Sequence, residues 1–312
     1  IKKGWKEIRR IENQIRDDIL DKTQVVCCTC IGSGNEILDG RRFPQVLIDE
    51  ATQATEPASL VALTRGARQV VLVGDHKQLP PTVISFRAEE KGLKRSLFER
   101  LVDLGIEPLL LSTQYRMHPA ISKFPNQHFY SDRLDDGIKS ENRLAPAGLL
   151  WPDWDNPVAF VPVDGGEVVS PDGTSRENPA EVSWVIKILN DILEAGEITK
   201  KDIGIITPYA GQVRAIRNSM SEKLDDVEVK TVDGYQGREK EVIIFSCVRS
   251  NTEQNIGFLS EMRRLNVALT RAKRGLIVIG DPATLRSDKN WRAWLEYVRD
   301  SKFEAWHLLG MN

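Results

Sequence analysis

Apolar positions along the chain follow two different spacings. Near the start, tryptophan and isoleucine recur at steps of three and four residues, which predicts an amphipathic helix packed against other structure. These positions are Trp5, Ile8, Ile11, Ile15 and Ile19. Short apolar runs, many of them β-branched, predict strands at 25–30, 46–48, 69–73, 108–111, 157–163, 203–206, 227–231, 242–248 and 276–280. Helical spacing between them predicts helices at 57–63, 96–105, 181–195 and 260–272, and one ending at 224.

Strands that alternate with helices predict an α/β fold with parallel sheets. We expect two such sheets, divided at about residues 111–114. The runs at 46–48, 69–73 and 108–111 should be buried strands, as in parallel sheets covered on both faces. Residues 131–156 and 165–178 are rich in Gly, Pro and Asp and have no sustained period, so we expect surface connections there.

Composition adds few constraints. The 312 residues are 41% hydrophobic and 28% charged, as in a globular protein long enough for two domains. The net charge is −2, so any nucleic-acid surface must come from local clusters. No apolar run approaches the ~20 residues of a membrane span, and we expect no membrane partner. Because the first residue is Ile rather than Met, we expect a piece of a longer protein.

Three of the four cysteines lie together in the run VVCCTC. In a strand, Cys28 and Cys30 would share one face and Cys27 would take the other. No histidine or fourth cysteine lies close in sequence, so buried thiols of a reducing compartment are favoured over a zinc site.

The run VLIDEATQ ends a predicted strand in two adjacent carboxylates, Asp49 and Glu50. Ligands of open α/β sheets lie beyond the carboxyl ends of the strands. A carboxylate pair there suits a Mg²⁺-nucleotide, because one group can hold the metal and the other can orient or deprotonate water. Alternatively, the two acidic residues belong to a helix N-terminal cap or to a solvated turn.

Polar residues follow two other predicted strands. Gln78 lies in VGDHKQLPP, where it can hydrogen-bond a terminal phosphate or serve as an ordinary loop amide. Arg116 follows the run at 108–111 and is either an arginine finger in a phosphate cleft or a surface ion pair. The basic helix near Arg264 and Arg271 mixes apolar and basic positions, which favours a packed helix that aims particular arginines over a solvated face.

The sequences of these loops match the motifs of one known protein family in their order and spacing. The chain resembles superfamily-one helicases and, among them, the up-frameshift branch of RNA helicases of nonsense-mediated mRNA decay. The resemblance rests on CCTCIGSG, LIDEATQATEP, VGDHKQLPP, SLFERLVDLGI, QYRMHPAISKFPNQHFY, IGIITPYAGQ, TVDGYQGREKEVIIFSCVRSN, IGFL and RRLNVALTRAKRG.

The resemblance implies an α/β fold of two RecA-like domains with mainly parallel sheets and with ATP in the cleft between them. Residues 1–111 would be the carboxy-terminal part of the first domain, incomplete at its N-terminus, with 1–22 the end of a helical insertion. Residues 112–288 would be the second domain, and 289–312 a helical tail.

The resemblance also implies residue roles. Asp49 would hold Mg²⁺, Glu50 would activate the attacking water, and Gln78 would sense the γ-phosphate. The arginine fingers would be Arg116 and Arg271. Tyr115 would pack near adenine, and Gly237 and Glu239 would contact phosphate or ribose. The nucleic-acid contacts would be Thr207, Pro208, Tyr209, Thr29, Thr231 and Val232.

One motif of the family does not occur. No G-x-x-x-x-G-K-[S/T] phosphate loop is found in the 312 residues. Since its lysine and Ser/Thr hold the phosphates and Mg²⁺, we expect this chain alone to bind ATP weakly and to turn over essentially none.

The resemblance implies 5′-to-3′ movement on single-stranded RNA, other mRNA-decay factors as partners, and a cytoplasmic, or also nuclear, location. Two other interpretations stay open at this stage. One is a sister helicase that acts on DNA or on RNA–DNA hybrids. The other is a non-catalytic nucleic-acid-binding scaffold that has lost its phosphate loop.

Overall fold

A computed structural model of the chain describes residues 2–309 and divides them into two units. The first contains residues 2–76 and 80–106, and the second contains 77–79 and 107–309. The domain limits expected at residues 1 and 312 lie outside the described residues, and the division expected at 111/112 stays a prediction.

The first unit has a small parallel sheet and four α-helices. Its elements are α1 (Lys2–Lys22), β1 (Gln45–Ile48), α2 (Glu56–Leu63), β2 (Gln69–Leu72), α3 (Phe86–Glu90) and α4 (Leu97–Asp103). Strands β1 and β2 pair in parallel, with Leu47 opposite Val71. Helix α4 begins where the Ser96 hydroxyl accepts a hydrogen bond from the Glu99 amide at 3.1 Å. The chain leaves this helix through Gly105, whose φ of +91° suits glycine.

Several predictions of strands, or of their burial, between residues 25 and 111 are wrong. Leu47 is 65% exposed and Val71 is 53% exposed, because a two-stranded sheet has few neighbours to cover its faces. No strand forms at 25–30 or at 108–111 in the structure of residues 2–309, and Leu109 is almost fully exposed. An apolar run becomes a strand only where a neighbouring backbone pairs with it.

Two further expectations for this region fail in detail. Cys27 and Cys28 are exposed rather than buried, because the VVCCTC run is irregular. Helix α1 forms as predicted, but its apolar positions, Trp5 and Ile19 among them, are exposed rather than packed.

The second unit is built on a five-stranded sheet. The strands of the whole unit are β3 (Thr113–Gln114), β4 (Asp135–Asp136), β5 (Val158–Pro162), β6 (Val168–Val169), β7 (Arg176–Glu177), β8 (Ile203–Thr207), β9 (Glu228–Thr231), β10 (Lys240–Ser246) and β11 (Ala272–Gly280). Its helices are α5 (Pro119–Phe129), α6 (Pro179–Glu194), α7 (Ala210–Ser219), α8 (Met262–Leu269), α9 (Pro282–Leu285) and α10 (Lys289–Asp300). The sheet order is β5-β11-β10-β8-β9, and every pair in it is parallel.

Both faces of this sheet are buried. Phe245 of β10 packs in one core with Trp291 and Trp294 of α10. The next residue back along the strand, Ile244, packs in the opposite core with Ile188 of α6. This alternation explains why β10 reads as a continuous apolar run. The predicted α/β class with mainly parallel sheets is confirmed.

Both segments expected to be surface connections contain some regular structure. Residues 131–156 include β4, which pairs with β3, and the buried Trp151, whose Nε1 donates to Pro146 O at 2.7 Å. Residues 165–178 include the antiparallel hairpin of β6 and β7. Within residues 2–309, none of the helices is long and apolar enough to cross a membrane.

Candidate functional site

The acidic pair lies directly after β1. Asp49 and Glu50 form a turn there, and both side chains are exposed. Asp49 Oδ1 accepts a hydrogen bond from the Glu50 amide at 3.0 Å, and Glu50 Oε2 accepts one from Gln53 Nε2 at 2.6 Å. The structure therefore places the pair at the carboxyl end of a parallel strand, while the roles of the two carboxylates stay predictions.

The backbone at this turn is strained. Glu50 has φ +50° and ψ +39°, a left-handed conformation that costs a non-glycine residue roughly 1–2 kcal/mol. The turn is held because the Ala51 amide donates to Val73 O at 2.7 Å. The next loop approaches closely at Gly74, where a Cβ would lie 3.0 Å from the Thr52 amide nitrogen. Strain of this kind clusters at functional sites.

The two carboxylates could bind Mg²⁺ only together with ligands from water and a nucleotide. Proteins often bind Mg²⁺ through one or two carboxylates, with the remaining ligands from water and nucleotide phosphates. Asp49 suits that mode, because its carboxylate is exposed and the Glu50 amide fixes one of its oxygens. In the described part of the chain, no group of three or more His, Cys, Asp or Glu side chains converges to hold a metal ion unaided.

Arg271 is buried between α8 and β11 in the second unit. Its Nη2 donates to Thr270 Oγ1 at 2.9 Å and to Gln78 Oε1 at 3.1 Å. The segment that carries Gln78 belongs to this unit, and Asn266 Nδ2 holds it by donating to Lys77 O at 3.0 Å. Two side chains predicted to face the terminal phosphate are therefore in contact.

Arg116 lies beside the same end of β11. Its Nε donates to Glu239 Oε2 at 2.6 Å, and its Nη1 donates to Thr270 O at 3.0 Å. Lys273 Nζ lies 3.1 Å from the other oxygen of Glu239. Partial burial raises the pKa of Glu239, but its bonds to Arg116 and Lys273 outweigh burial and leave the pKa below its ordinary value. Glu239 is thus an ionised carboxylate shared by two cations.

The remaining nucleotide candidates lie on turns. Tyr115 is exposed next to Arg116, and its ring lies against Gly137, where any Cβ would collide with it. Gly237 has φ +72° in the turn between β9 and β10, a conformation that favours glycine. Both residues are accessible to a ligand, and their roles stay predictions.

Three predicted nucleic-acid contacts are buried. Thr207 ends β8, and its hydroxyl finds no hydrogen-bond partner in residues 2–309. Val232 donates from its amide to Thr207 O at 3.1 Å, which ties the two loops together. The Tyr209 hydroxyl accepts hydrogen bonds from Arg249 Nη1 and from the Phe258 amide, each at 3.2 Å. These side chains shape the strand ends rather than present themselves to solvent.

The other three predicted contacts are accessible. Pro208 and Thr231 are half-buried, and Thr231 Oγ1 accepts from the Gly234 amide at 3.3 Å. Thr29 is exposed in the first unit, where its hydroxyl accepts from the Gly32 amide at 3.0 Å. The residues that the structure brings together are therefore Arg116 with Glu239, Gln78 with Arg271, and Thr207 with Val232.

Sequence reasoning missed a buried carboxyl group at the end of β10. Glu181 of α6 is fully buried; it accepts from Ser246 Oγ at 2.6 Å and from the Val248 amide at 2.9 Å. Burial raises the pKa of Glu181 to about 8, although those bonds act in the opposite direction. Gln212 of α7 joins the network by donating from Nε2 to Ser246 Oγ at 2.8 Å. Glutamate within a helix usually faces solvent, so the sequence carries no signal for this burial.

It also missed a buried ion pair beside that network. Arg249 Nε lies 2.7 Å from Glu167 Oε2, and both side chains are about 5% exposed. Arg176 Nη1 lies 3.0 Å from the other oxygen of Glu167. Arg249 is part of the string SCVRSN, but only the fold shows that it faces Glu167.

Two family models match the chain, each described as "AAA domain", one over residues 93–283 and the other over residues 1–86. The chain is 46% identical over 305 residues to the "Regulator of nonsense transcripts 1 homolog" of Neurospora crassa, covering 95% of this chain and 28% of that protein. It is 44% identical over 303 residues to the "ATP-dependent helicase NAM7" of Saccharomyces cerevisiae, covering 95% and 31%.

The Drosophila melanogaster "Regulator of nonsense transcripts 1 homolog" is 44% identical over 304 residues, or 95% of this chain and 26% of that protein. The chain therefore spans about a quarter to a third of the length of these relatives. A solved "PRRSV helicase" structure is 19% identical, with a TM-score of 0.41, and the alignment covers 80% of this chain and 38% of that one. Because the first of the two family models matches residues 93–283, more than half of the chain, the chain belongs to the AAA domain family.

Proposed function

We propose that the chain is part of an ATP-dependent helicase that moves 5′ to 3′ along single-stranded RNA in nonsense-mediated mRNA decay. The names of its relatives, regulators of nonsense transcripts and an ATP-dependent helicase, support this assignment. Other mRNA-decay factors are the partners that the proposal implies.

One observation in the structure carries the ATPase part. Arg116, Arg271, Gln78 and Glu239 gather at the start of β11, joined by contacts of 2.6–3.1 Å through their own side chains or Thr270. Hydrolysis of a nucleoside triphosphate builds negative charge on the transferred phosphoryl group, which arginines stabilise. A glutamine amide suits a γ-phosphate contact, and a carboxylate suits a ribose hydroxyl.

The residues of the first unit supply complementary chemistry in this proposal. Asp49 would hold Mg²⁺, which would neutralise phosphate charge when bound. Glu50 orients the attacking water and accepts its proton. The bond from the Ala51 amide to Val73 O holds this turn at the end of β1, and Gln53 Nε2 holds the Glu50 carboxylate.

In the second unit, Arg116 must leave Glu239 before it can serve as a finger. Lys273 already contacts Glu239 and balances its charge when Arg116 departs. Glu239 is then able to accept a hydrogen bond from ribose. Arg271 is buried and held at Thr270, so it is positioned in advance and needs less rearrangement.

An ATPase assay tests this proposal. The 312-residue chain is compared with the same chain joined to an amino-terminal segment that supplies the phosphate loop. We expect turnover near background for the first and RNA-stimulated hydrolysis for the second, abolished by Glu50→Gln. Robust hydrolysis by the 312-residue chain, lost on Glu50→Gln, would refute its expected inactivity. An extended chain that binds RNA but hydrolyses no ATP would favour the scaffold interpretation.

The same extended chain tests substrate and direction. Matched RNA and DNA duplexes with a single-stranded 5′ or 3′ tail are unwound in parallel. We expect the RNA duplex with the 5′ tail to be the preferred substrate. Preference for DNA would favour the sister-helicase interpretation, and preference for 3′ tails would contradict the direction.

A further inference from the structure

A pocket of about 440 Å³ opens beside the carboxyl ends of β8 and β10 in the second unit. Its lining includes Tyr209, Phe258, Arg176 and Arg249, together with Val169 of the β6–β7 hairpin. None of the roles proposed above uses Phe258, Arg176 or Arg249.

Phe258 is the accessible aromatic group of this pocket. Phe258 is 59% exposed, whereas Tyr209 is 5% exposed. The two rings lie 5.5 Å apart at an interplanar angle of 39°, so Tyr209 supports Phe258 from inside. The guanidinium carbon of Arg264 lies 5.5 Å from the Phe258 ring centroid. An exposed ring kept in place by a buried neighbour and a cation is a suitable stacking platform.

The position of Phe258 depends on the residue before it. Gly257 has φ +56°, and a Cβ there would collide with Arg249 Nη1 and lie 2.6 Å from the Tyr209 hydroxyl. The Phe258 amide donates to that hydroxyl at 3.2 Å. Glycine therefore lets the backbone lie against Tyr209, and this contact fixes where the next ring emerges.

The charges around the pocket favour an anionic ligand. Arg176 and Arg249 share the single carboxylate of Glu167, which leaves one formal positive charge in excess. The Arg176 side chain is 42% exposed at the opening. Arg264 also pairs with Asp233 at 3.1 Å, on the turn that follows the predicted nucleic-acid contacts Thr231 and Val232.

We propose that this pocket receives one unpaired base of a single strand, stacked on Phe258, with the Arg176 side of the pocket facing the phosphate backbone. An exposed ring beside arginines is the arrangement by which proteins hold single strands without reading sequence. This inference rests on the proposed function, and it names a subsite for that same RNA.

Binding to two strands of equal charge tests the subsite. Fluorescence anisotropy measures the Kd of the full chain for a labelled single-stranded oligouridylate and for an abasic strand with the same number of phosphates. We expect Phe258→Ala to weaken binding of the oligouridylate by about 5- to 100-fold and to leave the abasic strand unchanged. Phe258→Trp should retain binding, and the salt dependence should not change because stacking is uncharged.

Phe86→Ala provides the matched control, since Phe86 is an exposed phenylalanine of the first unit. It should leave both Kd values unchanged, and thermal unfolding checks that each variant is folded. Wild-type affinity of Phe258→Ala for oligouridylate, or equal losses on both strands, would overturn the subsite while the proposed function stands. If the wild-type chain binds neither strand, the proposed function fails and the subsite fails with it.

Discussion

The two units hold their candidate residues in different ways. In the second, Arg116, Glu239 and Arg271 are fixed by bonds to one another or to Thr270, beside a sheet whose central strands are mostly buried. In the first, Asp49 and Glu50 follow a two-stranded sheet whose Leu47 is largely exposed. Where packing contributes little, local hydrogen bonds hold the two carboxylates, and they do so in spite of a strained backbone at Glu50.

Removing one ion pair from each unit should change the free energy of unfolding by clearly different amounts. Arg249→Ala leaves the buried Glu167 without its main partner, and we expect a loss of about 3 kcal/mol in the free energy of unfolding. Arg176 remains beside Glu167, so the loss should lie at the lower end for buried pairs. Arg100→Ala removes the half-exposed pair with Glu56 in the first unit and should cost much less, because solvent screens that pair.

Urea unfolding followed by tryptophan fluorescence and far-UV circular dichroism measures both variants. Six of the seven tryptophans lie in the second unit, so fluorescence mainly reports that unit. Equal losses for Arg249→Ala and Arg100→Ala would contradict the difference in burial.

The buried Glu181 should make the stability of the second unit depend on pH. Its pKa is raised from 4.5 to about 8 in the fold, so between these values the folded state keeps a proton that the unfolded state has lost. Stability of the second unit should therefore fall as pH rises from about 5 to about 8, by up to roughly 1.4 kcal/mol per pH unit from this group.

Glu181→Gln removes the titration and can still accept from the Val248 amide while donating to Ser246 Oγ. Unfolding of both proteins across this pH range, followed by fluorescence, measures the effect. The variant should show a flatter profile than the wild type. Identical slopes would show that Glu181 does not titrate in this window.

The smallest effect is expected at the strained turn of the first unit. Glu50→Gly relieves the left-handed backbone and should raise the free energy of unfolding of that unit by up to about 1 kcal/mol. Glu50→Ala removes the same side chain but keeps the Cβ, and it serves as the control. Circular dichroism during urea unfolding measures both variants, and a less stable glycine variant would show that the turn is not strained.

The sequence predicts the second unit better than the first. Strands such as β10 and β11 are apolar runs because helices cover both faces of their sheet, so the pattern and the structure agree. In the first unit, the runs at 46–48 and 69–73 have the same pattern and form strands, yet Leu47 and Val71 are exposed, because a two-stranded sheet has few neighbours to cover its faces.

The candidate site divides in a similar way. The sequence predicts the turn that carries Asp49 and Glu50, because a strand end is a local feature of the chain. It does not predict the pair of Arg116 with Glu239 or the burial of Glu181, because each depends on residues far apart in the chain. Contacts of this kind are set by topology, which a single sequence does not display.

The rate of ATP hydrolysis by an Arg116→Ala variant of the chain extended by a phosphate loop tests the central claim most directly. If Arg116 leaves Glu239 to stabilise the transferred phosphoryl group, single-turnover hydrolysis should slow by about 10³- to 10⁵-fold with ATP still bound. Arg299→Ala, which removes an exposed arginine paired with Asp300 at the end of α10, is the matched control and should keep the wild-type rate. An Arg116→Ala rate within about tenfold of wild type would contradict the assignment.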